Sequence, residues 1–144
     1  DIASGGGINT SADHRFIYVS ETSGRRVRVF QRRNDQGSVV EVGRIPMETA
    51  PDNIDVAADG SLWVTGHANT LALIRHFIGG SPAPSQTWRI ELDPQGLGRA
   101  AEERYLDDGR NISAGSIGAT YGQMLLVGSI TAKRIMVCRM SAGA

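Results

Sequence analysis

One cysteine in 144 residues, Cys138, leaves no partner for an internal disulfide framework. It leaves open a bond to a cysteine outside this chain. Neither sign of charge is in excess, with 15 basic and 15 acidic residues. Nothing in that balance argues for nucleic acid or an anionic membrane as partner. No apolar run approaches the roughly 20 residues of a membrane-spanning helix. No basic n-region followed by an apolar h-region is present either. Helix signals are almost missing: residues 97–106 offer one short candidate, and its strand-like end, Arg104-Tyr105-Leu106, weakens it.

What the chain does have is turns and short strands. Its 18 glycines suit many strands joined by tight connections. Alternation at period two, clearest in Arg26-Val27-Arg28-Val29-Phe30, predicts strands over residues 16–19, 26–30, 39–45, 53–56, 62–64, 71–77, 87–92, 124–127 and 134–138. Turn chemistry separates them at Ser23-Gly24, Asp35-Gln36-Gly37, Asp59-Gly60, Gly79-Gly80, Asp93-Pro94-Gln95-Gly96 and Asp108-Gly109.

A hairpin unit also repeats. Phe16-Ile17-Tyr18-Val19, Leu62-Trp63-Val64 and Met124-Leu125-Leu126-Val127 each follow a polar turn. An apolar residue of the next predicted strand stands ten positions after each last valine: Val29, Ile74 and Val137. Repetition of a small antiparallel sheet predicts an all-β chain of β-propeller type, with units of roughly 8–46, 50–92 and 101–140. A β-sandwich also accommodates short strands and regular turns, but it does not require the units to resemble one another. Three units fall short of the ~4–8 blades that close a ring. The expectation is therefore a partial propeller, the C-terminal portion of a larger one, partnered by a remaining N-terminal part. A chain opening at Asp1 rather than Met agrees with that expectation.

The segment with most chemical content is Ala50-Pro51-Asp52-Asn53-Ile54-Asp55-Val56, followed by Leu62-Trp63-Val64-Thr65-Gly66-His67. Asp52 and Asn53 are hard oxygen donors, the kind calcium takes about six to eight of. Neighbours on a regular strand point to opposite faces. Both can bind one ion only if the backbone is irregular there, and Pro51 makes such an irregularity plausible. The plainer alternative is a Pro-Asp-Asn turn with Asp52 capping backbone amides. His67 suits substrate orientation or proton transfer, or equally a packing role in a loop. His14 and His76 read as structural or solvated. Arg25, Arg26, Arg28, Arg32 and Arg33 read as a solvated outer face alternating with Val27 and Val29. Ser4-Gly5-Gly6-Gly7 lacks the lysine and helix of a phosphate loop and reads as a tight, channel-facing segment where blades crowd together. Ser116 has no nucleophile-elbow context.

These segments resemble the serum paraoxonase/arylesterase family, within the gluconolactonase-like and strictosidine-synthase-like six-bladed propellers. The likeness runs from Ser11-Ala12-Asp13 to Phe30, through Asp52–His67, and on through Gly115-Ser116-Ile117 to Val137-Cys138. It implies a hydrolase of lactones or aryl esters that uses a calcium ion at the mouth of the central channel. It implies Asp52 and Asn53 as metal ligands, His67 as a pocket histidine, and Ser116 and Ile130 as substrate-binding wall positions. It further implies that Cys138 matches a cysteine bonded to one near the N-terminus. One departure stands out. A further ligand asparagine of the family falls here on Gly6, with Asn9 three residues along and out of register. The other ligands and a catalytic histidine pair are implied to lie upstream of Asp1. Two readings stay open beside the enzyme: a non-catalytic propeller that binds a small ligand or a protein, and a strictosidine-synthase-like propeller without metal.

Overall fold

The computed structural model describes residues 1–34 and 36–140. Eleven strands and one helix follow in chain order: β1 Gly5–Thr10, β2 Phe16–Glu21, β3 Arg26–Arg32, β4 Val39–Pro46, β5 Ala50–Val56, β6 Leu62–His67, α1 Thr70–Gly79, β7 Ser85–Leu92, β8 Gly98–Asp107, β9 Gly115–Tyr121, β10 Met124–Ser129 and β11 Met136–Arg139. They form three antiparallel sheets, ordered β1-β2-β3-β4, β5-β6-β7-β8 and β9-β10-β11. Each sheet is a simple meander, and the innermost strands β1, β5 and β9 contact one another in sequence. This is a partial propeller whose sheets do not close into a ring.

The face-to-face packing follows from period-two burial. Every residue of β6 is buried. Leu62 and Val64 enter one core with Phe16, Tyr18, Val27 and Val29 of the first sheet. Trp63, pointing the other way, packs with Ile112, Leu125 and Val127 beside the third sheet. The middle sheet is thus sandwiched, which is why its second strand lacks a polar face.

Three local expectations need correction. Residues 71–77 are helical, not extended: Asn69 caps α1 by accepting from the Ala72 amide at 3.0 Å, and Gly80 closes it in the left-handed region at φ 71°. That pair of caps outweighs the apolar run, whose Leu73 and Phe77 are four apart. Ile74 therefore lies in the helix, and β7 takes the place of the expected strand. Residues 97–106 are the reverse case. They form β8, because hydrogen bonding to β7 outweighs the helix preference of Ala100-Ala101-Glu102-Glu103. Residues 101–107 thereby belong to the second sheet, and the third begins at Gly115. Finally, Arg28 is not solvated. It is buried on β3, its Nη2 2.5 Å from Glu41 Oε2. Of the turn expected over 35–37, Asp35 lies outside the described residues, while Gly37 takes φ 86°.

Candidate functional site

The site is built at the N-terminal end of β5. Ala50 pairs with His67 and Pro51 with Gly66, but Asn53 pairs with Thr65. Asp52 is the extra residue of a β-bulge, and Pro51 beside it brings no amide to the ladder. The bulge undoes the alternation that would send Asp52 and Asn53 to opposite faces. Asn53 Nδ2 donates to Asp52 Oδ1 at 3.3 Å and to the Ser116 carbonyl at 3.1 Å. With its nitrogen directed to those two oxygens, the amide of Asn53 keeps its carbonyl oxygen for another partner. Asp52 Oδ2 lies 3.7 Å from His67 Nε2.

His67, the last residue of β6, is 3% exposed. Its Nδ1 is buried without a hydrogen-bond partner among the described residues. Such an orphan costs free energy unless a water, ion or ligand satisfies it. Ser116 sits on a bulge of its own: Gly115 pairs with Ser129 and Ile117 with Gly128. Ile130, just past β10, is half exposed, and its amide donates to the Ala114 carbonyl at 3.0 Å. Four of the five sequence-derived residues therefore converge, Ser116 through its main chain. Ile130 stands beside the start of β9.

The neighbouring strand explains the glycine run. A Cβ on Gly6 would lie 2.6 Å from the Asp52 carbonyl oxygen, and one on Gly7 would lie 2.7 Å from Asn53 Cα. Only bare backbone fits between the sheets here, as the crowded channel-facing reading expects. Gly6 thus cannot carry the asparagine expected there without displacing the Asp52 main chain. Sequence reasoning missed Ser20 and Thr22, whose hydroxyls hold this backbone. Ser20 Oγ accepts from the Gly7 amide at 2.6 Å and donates to the Asp52 carbonyl. Thr22 Oγ1 donates to the Pro51 carbonyl at 2.7 Å. The small-residue pattern Gly5-Gly6-Gly7 opposite Ser20 was the available signal. Elsewhere on this end, His76 bridges the Ser81 carbonyl and Thr131 Oγ1, each at 2.7 Å, and so ties α1 to the segment after β10. Cys138 is a free, half-buried thiol, which burial pushes above its ordinary pKa.

The side-chain donors at the bulge are a carboxylate and an amide carbonyl. That chemistry fits a hard cation such as calcium. Among the described residues no group of three or more His, Cys, Asp and Glu is gathered that could hold a metal ion. A cation here would therefore rest on Asp52, Asn53 and oxygens from elsewhere.

Comparison with known proteins bears on the same elements. The family described as Arylesterase matches residues 1–140. Serum paraoxonase/arylesterase 2 of Gallus gallus is 27% identical over 140 residues, covering 95% of this chain and 38% of that protein. Serum paraoxonase/lactonase 3 of Oryctolagus cuniculus is 25% identical over 134 residues, covering 92% of this chain and 37% of that protein. Human serum paraoxonase/arylesterase 2 is 24% identical over 140 residues, covering 95% of this chain and 38% of that protein. The chain spans well under half the length of these relatives. With a family match that takes in β1 through β11 and the Asp52–His67 element, the chain belongs to the arylesterase family.

Proposed function

We propose that this chain supplies one flank of the active centre of an ester or lactone hydrolase. Asp52 and Asn53 serve as two oxygen ligands of a calcium ion, and Ser116 and Ile130 form part of the substrate wall. The observation that supports it most is the bulge at Asp52. An irregularity at that one residue brings the two adjacent side chains together, Asn53 Nδ2 3.3 Å from Asp52 Oδ1, beside an imidazole. The names of the relatives, arylesterase and lactonase, agree with the reaction class.

Bound there, calcium supplies Lewis-acid polarisation of the ester carbonyl and charge for the developing oxyanion. The chain's own residues do the rest of what is local. The Asp52 carboxylate fixes its Oδ2 near His67 Nε2, so a proton held at Nε2 faces the carboxylate. The Ser116 carbonyl holds the Asn53 amide by its nitrogen and so leaves the carbonyl oxygen to accept from another partner. Burial of β6 keeps water from His67, while Asp52 and Asn53 stay half-buried beside it.

Hydrolysis of phenyl acetate and of a simple aliphatic lactone by the purified protein, with calcium and with chelator, tests the proposal. Activity that needs calcium and falls by more than about 100-fold in Asp52→Ala supports it. Unchanged hydrolysis in Asp52→Ala sinks it.

A second reading, a non-catalytic propeller that binds a small ligand or a protein, is favoured by the burial of His67. At 3% exposed, that ring offers a substrate little surface. A purified protein that hydrolyses neither substrate, with or without calcium, favours this second reading.

A further inference from the structure

Ser20 is fully buried on β2, one strand behind β1, yet its hydroxyl reaches the second sheet. It passes over bare backbone: a Cβ on Gly6 would lie 2.8 Å from Ser20 Oγ. Three contacts are within its reach. Its Oγ accepts from the Gly7 amide at 2.6 Å, and the Gly7 carbonyl lies 3.2 Å away. Its single proton goes to the Asp52 carbonyl of the neighbouring sheet. Two residues on, Thr22 Oγ1 donates to the Pro51 carbonyl at 2.7 Å. Two hydroxyls, one on β2 and one just past its end, thus grip consecutive carbonyls at the bulge of β5. Gly66 on β6, beside the bulge, carries no hydroxyl of its own to do this.

This grip matters because the bulge is what makes a donor pair of Asp52 and Asn53. If Asp52 returned to regular pairing with β6, the two side chains would point to opposite faces. A carbonyl anchored from the neighbouring sheet opposes that relaxation. We propose that Ser20, assisted by Thr22, is a positioning residue for the Asp52–Asn53 pair, holding the β5 bulge through the Asp52 carbonyl. The proposal rests on the reading of that pair as calcium ligands.

The test measures calcium affinity of the purified protein by calorimetry, and the waters on bound terbium by luminescence lifetimes in H2O and D2O. Variants are Ser20→Ala, Thr22→Val, Thr22→Ser, Asp52→Ala and Thr87→Val. The last breaks a buried hydroxyl pair, Thr65 Oγ1 with Thr87 Oγ1 at 2.8 Å, from β7, a strand that does not pair with β5. Loss of an outer support of a metal site costs about 10- to 100-fold in affinity. Ser20→Ala is expected to weaken calcium by about ten-fold and to add water to terbium. Thr87→Val is expected to lower the thermal midpoint comparably and leave both readouts alone. Thr22→Val should lose a smaller factor that Thr22→Ser restores, and that pair carries the test if Ser20→Ala does not fold. Calcium affinity unchanged in Ser20→Ala, with binding abolished in Asp52→Ala, overturns the proposal and leaves the metal reading standing. Wild-type affinity in Asp52→Ala, or a parent protein that binds no calcium, overturns both.

Discussion

The first and second sheets are built on one plan and end differently. At one end β2 and β6 pair alike with their inner strands: Glu21 lies opposite Gly5 as His67 lies opposite Ala50, and Val19 opposite Ile8 as Thr65 opposite Asn53. Both inner strands break register near the same end, between Gly5 and Ile8 on β1 and between Pro51 and Asn53 on β5. Yet the first bulge carries Gly6-Gly7 and the second Asp52-Asn53. The difference teaches a division of labour. One strand gives up its side chains so that the other can present two, and the hydroxyls behind the glycines hold the presenting strand in place. Glu21, where the second sheet has His67, does structural work. Its carboxylate accepts from the Ala3 amide at 2.7 Å and from Arg26 Nε.

The sharpest way to break this comparison is to put a side chain on the bare strand. In Gly7→Ala the new Cβ meets Asn53 Cα at 2.7 Å and the Asp52 carbonyl oxygen at 3.0 Å. Backbone cannot swing aside as a flexible side chain can, so the sheets must part. The expected cost is about 3 kcal/mol, the upper end of ordinary overpacking. A control at Gly60→Ala, where φ is 82° and nothing lies within 4 Å, should cost only the left-handed strain of about 1 kcal/mol. Guanidinium unfolding midpoints of the two variants separate crowding from conformation. Equal losses would show that the inner strands are not in close contact.

Acid sharpens the comparison from the other side. Glu21 is held at about 2 by its hydrogen bond to Arg26 and by the Ala3 amide, well below the ordinary 4.5. Since the folded value is the lower one, its contribution is fully present above about pH 4.5 and is lost as pH falls toward 2. Glu41, held at about 2 by Arg44 and Arg28, acts in the same sense in the same sheet. Thermal midpoints should therefore fall between pH 5 and pH 2.5, and Glu21→Gln should flatten that fall. An acid limb of unchanged steepness in Glu21→Gln would remove Glu21 from the account.

How much of this was legible in the sequence follows from where the information lies. Strand positions, the repeat and the Asp52–His67 element are local patterns of period two and turn chemistry, so they were readable. The requirement for an irregular backbone at Asp52 was readable too, because two adjacent donors cannot share a face on a regular strand. What was not readable depends on partners distant in the chain. Ala100-Ala101-Glu102-Glu103 reads as helix until β7 is beside it. Arg28 reads as solvated until Glu41 folds over it. Ser20 reads as a strand residue of no note, because its partner is a carbonyl 32 positions away across another strand. The helix α1 is the exception: Asn69 and Gly80 were local signals, overlooked because the apolar residues between them also fit a strand.

That helix gives a smaller test. The second sheet joins its second and third strands through α1, where the first uses a tight turn at Thr22-Ser23-Gly24-Arg25. Asn69→Ala removes the cap, with an expected loss of about 1 kcal/mol confined to the helix. Amide exchange should speed up over residues 70–79 and stay constant in β5 and β6. Faster exchange at Asn53 would mean that the connection, and not the neighbouring sheet, supports the bulge.

The smallest expected effect comes from Tyr18, which faces the second sheet from β2. Its ring belongs to the core between the two sheets, and its hydroxyl is buried with no hydrogen-bond partner among the described residues. Burial pushes the phenol up to about 12 from its ordinary 10, with Asp13 and Asp93 adding to the shift. At neutral pH the hydroxyl contributes little, since it exchanges water for nothing. Tyr18→Phe should stay within about 1 kcal/mol of the parent, on either side of it. Alkaline solution separates the two proteins. The folded value is the higher one, so stability is intact below pH 10 and is lost as pH rises through about 12, while the phenylalanine variant lacks that loss. Unfolding midpoints at pH 7 and pH 11 for both proteins give the answer. A Tyr18→Phe variant as alkali-sensitive as its parent would move the effect to Tyr105, whose hydroxyl is also buried without a partner among the described residues and is likewise pushed up to about 12 by burial.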